Sequence, residues 1–96
     1  MMYKHTKAEE DFFAKRDKEI KGLKQCKSYY NHEKLVEQIG CKFIRYEELT
    51  EGKSTYQFLV YEKDGRKIVY NKVYVEKEGG MYFQSLFTED GEMPIL

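Results

Sequence analysis

Histidine and cysteine are scarce in this chain: His5, His32, Cys26 and Cys41 are the whole supply. In chain order they stand 21, 6 and 9 positions apart, spacings that match no compact zinc framework. Nucleophilic catalysis by the usual route needs a base beside a serine or cysteine. His5 lies at a fraying terminus and His32 in the first turn of a predicted helix, where capping or surface roles are the better account. Nor does a glycine-rich phosphate loop join a strand to a helix, since Gly79-Gly80 reads as hairpin chemistry. The adjacent pairs Glu9-Glu10 and Glu47-Glu48 point to diverging sides of any regular element, so they read as solvated surface. These absences predict a non-enzyme with no metal and no cofactor.

Long apolar runs are also missing. Nothing approaches the roughly 20 residues that span a bilayer, and the charged start "MMYKHTKAEED" has no apolar signal core, so the expectation is a cytoplasmic protein that does not enter a membrane. In that setting the two cysteines are expected as free thiols. Neither sign of charge dominates: 17 Lys and Arg balance 17 Asp and Glu, so the positive field that nucleic-acid binding normally uses is lacking overall. Locally the balance tips, with six basic and two acidic side chains from Lys15 to Lys27 and three acidic ones from Glu89 to Glu92. Repeats, linkers and low-complexity segments are absent. Ninety-six residues hold one core, predicting a single α+β domain over residues 1–96.

What the chain has in plenty is tyrosine: nine, beside six phenylalanines and no tryptophan. Tyrosine joins an apolar ring to a polar tip and suits surfaces that are partly buried or contacted. The pattern of elements shows where these rings go. Thr6-Lys7-Ala8-Glu9 fits a capping box that opens a helix. At 100° per residue Phe12, Phe13, Ile20 and Leu23 share an arc of about 100°, predicting an amphipathic helix to about Gln25. Gly22 weakens it, and Arg16, inside the apolar arc, must snorkel or find a carboxylate. Ser28 or Asn31 can cap a second, shorter helix with the stripe Leu35, Val36 and Ile39, ended by Gly40.

From Cys41 the period changes to two, and "CKFIRYEEL", "STYQFLVYEK", "RKIVYNKVYVEK" and "MYFQSLF" read as four strands. Asp64-Gly65 is the favoured pair for a two-residue turn with positive φ at both positions. That turn sets Glu62 opposite Lys67, Val60 opposite Val69, Phe58 opposite Asn71 and Tyr56 opposite Val73, with Tyr61–Ile68, Leu59–Tyr70 and Thr55–Tyr74 on the other side. A three-residue loop Glu78-Gly79-Gly80 keeps Met81 and Phe83 on the side of Val75, whereas a one-residue slip would exchange the faces. The expected fold is two N-terminal helices on one face of a four-stranded antiparallel meander, in the order ααββββ. The helices cover the aliphatic face (Phe58, Val60, Val69, Val73, Val75, Met81, Phe83, Phe87) and leave a Tyr-rich face partly open. The tail "TEDGEMPIL" brings Ile95 and Leu96 either onto the body or onto a partner.

Candidate binding residues follow from that open face: Tyr61, Tyr70, Lys72, Tyr74, Tyr82 and Gln84. Tyrosine offers contact area at small entropic cost, so the leading expectation is a small protein-interaction module with a protein partner. Small Lys-, Glu- and Tyr-rich domains of this type are frequent in phages and mobile elements, as inhibitors of host or defence enzymes, anti-CRISPR proteins among them. A homodimer through the Tyr-rich face would also cover it. A second expectation uses Lys15, Lys18, Lys21, Lys24 and Lys27, with Tyr29 and Tyr30 at the end, as a basic helix face along a nucleic-acid backbone. Separately, "YQFLVYEKDGRKIVYNKVYV" after a helical hairpin loosely resembles the central hairpin of the RelE/ParE toxins, over 20 of the 96 residues. The chain departs from that family in having no clear strand before its first helix and no basic excess. The resemblance implies a ribosome-dependent ribonuclease with Arg45, Arg66, Lys72 and Tyr74 as RNA contacts.

Overall fold

The computed structural model describes residues 5–27, 31–76 and 80–92. Helix α1 spans Lys7–Ile20 and opens on the expected box: Thr6 Oγ1 accepts the Glu9 amide at 3.2 Å, and Glu9 Oε1 accepts the Thr6 amide at 3.0 Å. The helix ends five residues earlier than its apolar spacing predicts. Gly22 takes φ +82°, and the chain beyond it extends into a two-residue strand, β1 (Lys24–Gln25). Arg16 does find a carboxylate, Asp17 at 3.2 Å, and lies over the Phe13 ring.

Strands β2 (Lys42–Glu51), β3 (Ser54–Lys63), β4 (Arg66–Val75) and β5 (Met81–Thr88) form an antiparallel meander. β1 pairs with the end of β5, giving five strands in the order β1-β5-β4-β3-β2 rather than the four expected. Asp64 and Gly65 turn with φ +53° and +77°, and every β3–β4 pair derived from that turn is present. At the next turn Val75 lies opposite position 81 and Tyr74 opposite Tyr82, two residues away from the register of a loop at 78–80. Because the offset is even, the assignment of residues to faces survives it. The middle of that turn, residues 77–79, lies outside the described residues, as do Ser28, Tyr29, Tyr30, Ile95 and Leu96.

The covering of the sheet differs from the expectation. The second helix is a six-residue π-helical turn, Lys34–Ile39, and it packs on the opposite face from α1. Asn31 Oδ1 caps it through the Lys34 amide at 2.8 Å. Gly40, at φ +85°, closes it by donating to the Leu35 carbonyl, and Lys63 Nζ binds the Ile39 carbonyl at 2.7 Å. On one face Phe12, Phe13, Ile20 and Leu23 pack on Tyr56, Phe58, Val60 and Val69. On the other, Leu35 and Ile39 pack with Cys26 and Cys41 on Tyr61, Ile68, Tyr70 and Leu86. Both apolar stripes are as predicted, but one helix serves each face, because Tyr61, Ile68, Tyr70 and Leu86 form a second apolar surface large enough to need burial.

Length decides what is left uncovered. Fourteen helical residues span about 21 Å, and ten strand residues about 33 Å. On the tyrosine side the row through Thr55, Tyr74 and Tyr82 lies beyond the six-residue turn, whereas on the α1 side Phe12 and Phe13 still cover Tyr56, and Phe83 at the β5 end of that row is 53% exposed. Cys26 and Cys41 are free and buried, and burial pushes the Cys41 thiol up, with Lys63 partly offsetting it. Among the described residues no helix is long and apolar enough to cross a membrane.

Candidate functional site

The Tyr-rich face is divided by the π-helical turn. Two cross-strand rows lie under it, Tyr61–Ile68–Thr88 and Leu59–Tyr70–Leu86; two lie beyond it, Gln57–Lys72–Gln84 and Thr55–Tyr74–Tyr82. Tyr61 and Tyr70, expected as binding residues, are core residues with 0% and 2% exposure. The Tyr61 hydroxyl and His32 Nδ1 share a hydrogen bond at 2.6 Å, and burial, with smaller contributions from Tyr70 and Cys41, holds the hydroxyl above the ordinary phenol range. His32 also meets Phe43 edge-on, so its role is to seat the turn on the sheet. Tyr70 donates to Gln84 Oε1 at 2.5 Å, which fixes the Gln84 amide at the border between covered and open rows.

The open rows form a pocket of about 150 Å³ lined by Thr55, Gln57, Lys72, Tyr74 and Tyr82. The Tyr74 and Tyr82 rings lie 4.9 Å apart, tilted by 48°. Gly80 makes room for this pair. A Cβ there would lie 2.8 Å from the Tyr74 hydroxyl, and φ of +85° independently favours glycine. Lys72 Nζ stands 5.7 Å from the centre of the Tyr82 ring, within cation–π range. It makes no ion pair with any described residue. The carboxylate in the same row on β2, Glu48, is engaged by Gln57 Nε2 at 2.6 Å. The site therefore combines a half-buried lysine, two amides, a hydroxyl and an aromatic shelf. That set can hold a carboxylate or phosphate attached to a flat apolar group.

The basic series does not form one helical face. Lys15 and Lys18 are on α1, whereas Lys21, Lys24 and Lys27 follow its end at Ile20, with Lys24 in β1. Lys15 is paired with Glu47 at 3.5 Å. The residues implied by the toxin resemblance are also separated. Arg45 is held by Glu19 and Glu47, Arg66 faces Asp90 at 3.7 Å, and only Lys72 and Tyr74 share a surface.

Glu19 ties α1 to the sheet through Lys67 at 2.6 Å and through Arg45. Burial alone would raise its carboxyl, but these two cations outweigh burial and hold it below the usual carboxylate range. Glu9, expected on the solvated surface, is fully buried. Sequence reasoning also did not single out Phe43, Ile44 and Tyr46, which are 41%, 44% and 46% exposed on β2. The meander reading placed their strand at a sheet edge, but the period-two pattern did not show that these three side chains stand exposed there. Comparison with protein-family models, curated proteins and solved structures finds no match for this chain.

Proposed function

We propose that this protein is a non-enzymatic interaction module that holds a protein partner on the uncovered half of its Tyr-rich face. The observation that carries the reading is Lys72: a half-buried lysine on a central strand, beside paired tyrosines and with no ion pair to any described residue. An ammonium so placed gains most from an anion supplied from outside. The binding residues are accordingly Lys72, Tyr74, Tyr82 and Gln84, with Gln57 and Thr55 added, and the partner presents an acidic side chain beside an apolar one. The biological setting we assign is a small inhibitor of the anti-CRISPR type that acts by occupying a host or defence enzyme, a reading supported by size and composition alone.

Affinity capture followed by mass spectrometry tests the reading, with Tyr82→Ala and Lys72→Glu carried in parallel. A partner captured by the native chain and lost with both variants supports it. Equal capture by all three chains removes this face from consideration.

A further inference from the structure

Strand β2 is ten residues long and forms one edge of the sheet, so the outward half of its backbone donors and acceptors has no strand beside it among the described residues. Such an edge pairs readily with another strand. Three of the five large apolar side chains that stand exposed among the described residues, Phe43, Ile44 and Tyr46, fall within four positions of this strand. Its charges are ordered: Lys42 and Arg45 occupy the first half, and Glu47, Glu48 and Glu51 the second. We propose that β2 pairs antiparallel with β2 of a second copy, joining two five-stranded sheets into one.

The charge order selects both occupant and direction. Antiparallel pairing lays the basic half of each strand along the acidic half of the other, whereas parallel pairing sets like against like. A two-fold axis perpendicular to the sheet keeps both α1 helices on one side and permits only pairings between residues of the same face. Centred on Tyr46 this sets Arg45 opposite Glu47 of the second copy; centred on Glu48 it sets Arg45 opposite Glu51. The bulge at Phe43/Arg45 lies at one end and leaves Arg45–Glu51 in regular pairing geometry. The other edge lacks this self-complementarity, since positions 81–85 of β5 read MYFQS and carry no charge.

Light scattering or sedimentation of the intact chain reads the outcome. Twice the 11.6 kDa chain mass is expected at high concentration. Ile44→Lys and Tyr46→Lys, both at exposed positions, weaken the association by at least about tenfold, and Phe83→Lys on β5 leaves it unchanged. Hydrogen exchange shows outward β2 amides gaining protection as the dimer forms. A monomer at about 1 mM overturns the proposal, including the case in which β2 instead takes up a strand from another protein. A dimer that survives both β2 substitutions also overturns it.

Discussion

The Tyr56 hydroxyl on β3 donates to the buried carboxylate of Glu9 in the first turn of α1, 47 positions away in the chain. The same carboxylate closes the capping box, so one side chain both starts the helix and pins it to the sheet. Removing the hydroxyl leaves a buried acceptor short of a donor. Tyr56→Phe is expected to destabilise the fold by about 1–3 kcal/mol in urea unfolding. In a double-mutant cycle with Glu9→Gln, the pair should cost clearly less than the sum of the single changes. Simple additivity would show that the contact contributes little.

Asn71 lies in the opposite condition. It is 7% exposed on the α1 side of β4, between Phe58 and Ser85, and its Oδ1 has no partner among the described residues. Replacing such a group with an apolar one of similar size removes an uncompensated desolvation. Asn71→Leu is expected to raise stability by about 1 kcal/mol, measured as an increase in denaturation midpoint at unchanged slope. A loss of stability would mean that the amide is satisfied in solution.

The pH dependence is set in part by Glu19. Its carboxyl is lowered in the folded protein, so the folded state binds this proton more weakly than the unfolded chain does. The resulting stabilisation is present above the unfolded carboxylate value of about 4.3 and is lost as pH falls through the lower folded value. Glu19→Gln should cost about 1 kcal/mol at pH 7. The difference from the native chain should narrow as pH falls below the unfolded carboxylate value and through the lower folded one. A gap that persists in acid would place the effect in packing rather than in the contacts with Lys67 and Arg45.

Binding and stability should separate on the open rows. Tyr82 is 62% exposed, so Tyr82→Ala should change unfolding free energy by no more than about 0.5 kcal/mol while abolishing capture of a partner held there. Leu35→Ala, at a site with no exposure, should cost about 2–5 kcal/mol. Comparable destabilisation by the two changes would show that Tyr82 is packed in solution and is not a free contact surface.

Local chemistry made much of the molecule legible in the sequence. The capping box, the Asp64-Gly65 turn, the full β3–β4 register and the glycine stop at Gly40 each depend on residues a few positions apart, and each is present as read. Alternation along the strands likewise determined which side chains share a face. Periodicity does not say what lies against a face, and the tertiary structure decided that. It placed the turn at Lys34–Ile39 on the tyrosine side, which took Tyr61 and Tyr70 into the core and left Lys72, Tyr74 and Tyr82 outside. It ended α1 early so that Lys24–Gln25 could join β5, and it buried Glu9 under a tyrosine far along the chain. These outcomes depend on how two apolar sheet faces compete for two short helices, a balance of burial over the whole molecule that no stretch of sequence carries by itself.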